Sequence, residues 1–203
     1  MSQSTRERLK SKRRRERMRN IVIGAVVGVA AVASLAWLAT QSRARDSGET
    51  VPIPQVQAIE EMPEIAHVAE GTDPGPYNSD PPTSGKHYST QAFADFIDEE
   101  GLESFGDFPA GYLLHSLEHG YVVFWYNCNA LGDTECDDLK DEIQQVMSSV
   151  GNFKVIAIPW PSIEEPVVMT SWGRLLRFEE FDTDIAEQYV RNFRNQAPEP
   201  NAP

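Results

Sequence analysis

Two histidines, His115 and His119, stand four residues apart in the segment HSLEHG. On a helix that spacing puts both imidazoles on one face with their Cβ atoms about 5 to 6 Å apart, close enough to share one ion. On a strand they would also share a face, but at about 3.3 Å per residue they would stand roughly 13 Å apart and could not chelate. Metal binding by this pair therefore depends on a helix. Glu118 lies between them and completes HxxEH, the inverted zinc-peptidase pattern in which two histidines hold zinc and the glutamate activates water. Such an enzyme needs a third ligand on a later helix, for which Glu179, Glu180 and Glu187 are the candidates. Acidic residues are plentiful in this chain, so those positions carry little weight. Glu118 is better assigned to orienting an imidazole through its second ring nitrogen than to acting as a base.

The two cysteines, Cys128 and Cys136, are eight positions apart. In an oxidising compartment they form a disulfide, which for so small a loop stabilises by roughly 2 to 3 kcal/mol in the chain-entropy model. A pair of metal thiolates is the alternative, and CxxC redox spacing is absent.

The elements that must position these residues follow from periodicity. Ala92, Phe93, Phe96 and Ile97 recur at helical spacing and predict a helix over Thr90 to Glu100, stopped by Gly101. A second helix is expected from Pro109 to His119, with proline in the first turn and Gly120 at the end. Tyr121 to Tyr126, YVVFWY, is β-branched and aromatic and suits a buried central strand. A helix from Asp137 to Val150, a strand from Phe153 to Ile158, paired strands at Val167 to Ser171 and Arg174 to Phe178, and a helix from Thr183 to Phe193 complete the pattern. The order implies an α+β domain with a short mixed sheet covered by helices. Gly71 to His87 has a turn composition. No Gly-rich phosphate loop is apparent.

Charge divides the chain. Nine Lys or Arg fall in the first twenty positions, whereas beyond position 45 seven basic residues face 29 acidic ones. Between them, Ile21 to Thr40 is uncharged and apolar, and as a helix it would rise about 30 Å, the thickness of a bilayer's hydrocarbon core. The basic excess before this span predicts a single-pass transmembrane helix with residues 1–20 in the cytoplasm and the remainder exported. A cleaved signal peptide is the rival, but the apolar run exceeds the roughly 7 to 15 residues of a signal's core. Residues 41–63, with Pro52, Pro54 and Pro63, read as an extended linker, residues 64–195 as the extracytoplasmic domain, and residues 196–203 as a disordered tail. The bilayer is thus the expected partner of residues 21–40. An acidic exported domain excludes nucleic acid, which would repel it.

Three motifs, PPTSGKH at Pro81 to His87, HSLEHGYVVFWY at His115 to Tyr126 and SWGR at Ser171 to Arg174, resemble the bacterial family catalogued as domain of unknown function 3105. The resemblance covers most of residues 64 to 195 and implies a membrane-anchored extracytoplasmic domain, with no activity attached. The family pattern places a histidine ahead of PPxSGxH, a place matched by His67. Every histidine of the chain then lies at a family motif position. The resulting expectation is a metal site with His115 and His119 as the core pair and His87 and His67 completing it, holding zinc or copper. Met169 would favour copper if it pointed into the same site. The alternative is a non-catalytic module whose aromatics Tyr77, Tyr88 and Trp160 dock a protein partner at the membrane. A metal-dependent hydrolase using Glu118 is a third reading.

Overall fold

A computed structural model describes residues 53, 55–63, 65–129 and 131–202. The basic segment 1–20, the apolar span 21–40 and the start of the proposed linker lie outside the described residues. Among the described residues no helix is long and apolar enough to cross a membrane.

The central strands form where the sequence is most apolar. Strands β4 (Val122–Tyr126), β5 (Val155–Pro159), β6 (Val167–Ser171) and β7 (Arg174–Phe178) make a mixed sheet, edged by the short β1 (Gln57–Ala58), in the order β1-β7-β6-β4-β5. β4 and β5 run parallel and the other pairs antiparallel. Every residue of β4 is buried because both faces are covered. Val122, Phe124 and Tyr126 point to one layer, with Leu139, Ile143 and Val146 of α3 (Asp133–Ser149) and Ala186, Tyr189 and Val190 of α4 (Thr183–Phe193). Val123 and Trp125 point to the other, against Leu113, Leu114 and Leu117 of α2 (Ala110–Glu118). Each of those leucines is fully buried, worth about 1.5–3 kcal/mol of transfer free energy apiece. The α+β reading with a mixed sheet stands.

Met169 belongs to the layer of α3 and α4, opposite α2, so its thioether is not directed toward the histidine pair. Period-two alternation settles its side, since its neighbour Val168 faces the α2 layer.

Other expectations are overturned by pairing that local periodicity does not encode. Residues 90–98 are not helical: Phe96 bridges Ala157 on the outer edge of β5, with Ile97 N–H donating to the Ala157 carbonyl at 2.8 Å and Ala157 N–H donating to Asp95 at 3.0 Å. An open strand edge offers donors and acceptors that outweigh weak helical spacing. The helix, α1 (Glu99–Glu103), begins only after Asp98, whose carboxylate caps Gly101 N–H, and it contains Gly101 rather than ending at it. The proposed linker is in part sheet, since Gln57 and Ala58 pair with Leu175 and Arg174. Nor are residues 196–202 of the tail without order: Glu199 N–H donates to the Glu118 carbonyl at 3.0 Å, and the Pro200 and Ala202 carbonyls accept from Lys154. Cys128 and Cys136 are joined as a disulfide.

Candidate metal centre

α2 carries His115 one turn before its end and His119 at its C-cap, where His119 N–H donates to the His115 carbonyl at 3.1 Å. The helical condition is met, and the two ring centroids are 4.4 Å apart. The rest of HSLEHG is accounted for around them. Ser116 Oγ donates to the Ala92 carbonyl at 2.7 Å and so holds the segment that presents Gln91, while Leu117 anchors the helix in the core. Gly120 has φ +86°, and a Cβ there would stand 2.7 Å from Asn195 Cα, so only glycine lets the tail cross the helix end.

PPTSGKH supplies the third imidazole. Asn78 knots this loop: its Oδ1 accepts from Thr83 and Ser84 N–H and its Nδ2 donates to both hydroxyls. The loop delivers His87 and Tyr88 as strand β3 (His87–Tyr88), paired in parallel with β2 (His67–Val68) so that His67 lies in register with His87. Ring centroids of His67, His87 and His115 are then 4.9, 5.0 and 5.2 Å apart pairwise. His87, His115 and His119 are buried and His67 is exposed.

The tautomers are set by what the outer nitrogens face. His87 Nδ1 lies 2.9 Å from the Gly85 carbonyl and His115 Nδ1 lies 2.7 Å from that of Tyr88; a carbonyl only accepts, so both Nδ1 atoms carry the proton. His119 Nδ1 donates likewise to Gln91 Oε1 at 2.6 Å. With Nδ1 as the donor, each ring turns Nε2 toward its neighbours. Those Nε2 atoms converge: His115 Nε2 and His119 Nε2 are 3.0 Å apart, and His87 Nε2 is 3.1 Å from Glu118 Oε2. Two donor sets, His67, His87 and His115, and His115, Glu118 and His119, each have their ligand atoms within 4.8 Å of one another, and His115 belongs to both. Ligand atoms at about 2.0–2.1 Å from a shared ion stand roughly 2.9 to 3.4 Å apart for angles between square and tetrahedral. The His115–His119 pair is at that spacing.

Burial holds His115 below the ordinary histidine pKa, reinforced by His119, His87 and His67 and opposed by its hydrogen bond to the Tyr88 carbonyl. With the folded value below the unfolded one, the unfolded chain binds more protons as pH falls under about 6.5. The stability of the metal-free chain should therefore decline from pH 7.5 to 5, levelling once His115 itself is protonated. Thermal unfolding across that range should show a shallower slope in His115→Gln.

The support beneath these rings is tight. A Cβ on Gly111 would come within 2.6 Å of the Tyr88 ring, which is buried and donates through its hydroxyl to the Thr72 carbonyl at 2.8 Å. Gly111→Ala should cost about 1–3 kcal/mol from overpacking, less about 1 kcal/mol of regained helix propensity. Because Tyr88 also fixes His115, metal affinity should fall with stability, as a melting curve and a zinc titration on the same sample would show.

Other expected site residues lie elsewhere. Glu187 sits on α4, in the layer opposite α2, and pairs with Arg191 at 3.5 Å, while Glu179 and Glu180 are exposed after β7. None joins the histidines. The SWGR motif is scaffold: Trp172 and Gly173 turn the β6–β7 hairpin, and Gly173 N–H donates to the Thr83 carbonyl while its own carbonyl accepts from Ile59. Tyr77 and Trp160 are half-buried and Tyr88 fully so, with Trp160 donating to Asp80 at 2.7 Å. Those aromatics are committed inward, unlike Phe93 and Phe153, which are exposed. Sequence reasoning missed Gln91 and Glu199, the latter with Oε2 3.5 Å from His119 Nε2.

Fold and site together define a small α+β domain that gathers four imidazoles and a carboxylate at the end of one helix. The chain belongs to the family described as "Protein of unknown function (DUF3105)", which matches residues 67–203 and so includes all four histidines. No curated protein and no solved structure matches the chain.

Proposed function

We propose that the domain binds a transition-metal ion at this histidine cluster, with His115, common to both donor sets, at its centre, His87 and the exposed His67 on one side and His119 and Glu118 on the other. The observation that carries this reading is the convergence of Nε2 lone pairs whose Nδ1 protons are all committed to acceptor oxygens. Two lone pairs 3.0 Å apart repel unless a proton or a cation lies between them. Carbonyl and amide oxygens on the outer nitrogens are the partners that metal-bound histidines commonly have. Imidazole donors select zinc or copper over magnesium or calcium.

Glu118 is buried against His87, with Oε2 3.1 Å from Nε2, a contact that suits a carboxylate orienting an imidazole better than a free general base. Placement at the outer face of a membrane is part of the same proposal; it rests on the charge asymmetry about residues 21–40 and agrees with the disulfide. Metal analysis of the full chain purified without chelator tests the reading. Zinc or copper near one equivalent, absent from a His87→Ala, His115→Ala chain, is expected; no bound metal and no uptake on addition would sink it.

A further inference from the structure

The last residues of the chain return to the metal centre for a definite reason. A helix ends with carbonyls that lack partners, and α2 ends at the histidines. Its Glu118 carbonyl accepts from Glu199 N–H at 3.0 Å, and the Gly120 carbonyl accepts from Asn195 N–H at 2.8 Å. The His119 carbonyl accepts from the buried ammonium of Lys154 at 2.8 Å, and the same ammonium donates to the carbonyls of Pro200 at 3.0 Å and Ala202 at 2.8 Å. All three Lys154 protons are used, two of them to hold the tail. Glu199 is thereby fixed over the turn that carries Glu118 and His119.

Its carboxylate is aimed at the site. Glu199 Oε2 lies 3.5 Å from Nε2 of His119, whose Nδ1 proton is committed to Gln91. A cation held at this nitrogen would meet the Glu199 oxygen on one side and His115 Nε2, 3.0 Å away, on another. We propose that Glu199 is a further metal-site residue, a second carboxylate that closes the centre and matches it to a divalent ion; this rests on the metal-binding reading above. Neutral imidazoles add no charge, so Glu118 and Glu199 together bring two negative charges, the complement of Zn2+ or Cu2+ rather than Cu+. Lys154, whose ammonium binds this turn, donates to three carbonyls.

Glu199 is 60% exposed, so Glu199→Gln keeps the fold and the size of the side chain while removing the charge. With the full chain, Zn2+ release into excess chelator should be about 10- to 100-fold faster in Glu199→Gln, the range seen when a site partner is lost. The Cu2+ electron paramagnetic resonance spectrum should shift as an oxygen donor leaves, with metal-free melting unchanged. Glu180→Gln, an exposed carboxylate elsewhere, should match the parent in all three. Equal release rates and superposable spectra for Glu199→Gln and the parent would overturn this inference and leave the metal-binding reading intact. A parent chain that takes up neither ion would overturn both.

Discussion

Replacing His115 with alanine should lower zinc affinity by about 1000-fold or more, a larger loss than any other single histidine gives. Loss of a residue that merely orients a ligand costs about 10- to 100-fold, and His115 is more than that. It is the member common to both donor sets, and its Nε2 faces that of His119 at 3.0 Å. Its Nδ1 bond to the Tyr88 carbonyl ties α2 to β3, so its removal also unpins the strand that carries His87. Gln91→Leu, which takes away only the acceptor for His119, should fall in the lower range. Competition titration with a chromophoric chelator measures both, with near-ultraviolet circular dichroism as the check on packing. Zinc bound by His115→Ala within tenfold of the parent would place the centre elsewhere.

Zinc at a thousandfold excess over its dissociation constant should raise the melting temperature of the domain by roughly 10 °C. A ligand that binds only the native state stabilises by about 4 kcal/mol at that excess, and each kcal/mol moves the midpoint of a domain of this size by about 2–4 °C. The unfolded chain is a poor competitor because its four histidines are spread along the sequence, with His115 and His119 alone as near as four positions. Chelator should restore the lower midpoint, and magnesium should leave it unmoved, since a site of imidazole nitrogens does not suit that ion. Scanning calorimetry with and without each metal would register the difference; a zinc-independent midpoint would contradict the proposed centre.

How far the sequence alone carries depends on whether a feature is local. The strands Val167–Ser171 and Arg174–Phe178 and the helix Thr183–Phe193 are read at their observed bounds, because each is specified by its own periodicity and turn residues. The pair His115 and His119 is legible for the same reason, as an i, i+4 spacing inside a helical stretch ending in glycine. His87 and His67 reach the site through a two-residue parallel ladder, which leaves no periodic trace, and entered only through motif resemblance. Residues 90–98 misread as helix because the edge they fill belongs to β5, far along the chain. Glu199 had no signal at all. The nearest hint was Lys154, a lone cation in an apolar stretch, whose need for acceptors is met by the tail.

The position of Lys154 beneath the tail, and of the ladder beneath His67, bears on time as well as affinity. Donors drawn from His67 to Glu199 are far apart along the chain, and contacts of such long sequence separation are costly to close early, so the centre is expected to form after the step that limits folding. Interactions absent from that step lengthen the life of the native state without hastening its formation. An ion held there would act as a late clasp: the chain would fold at its own pace, and once loaded would come apart slowly.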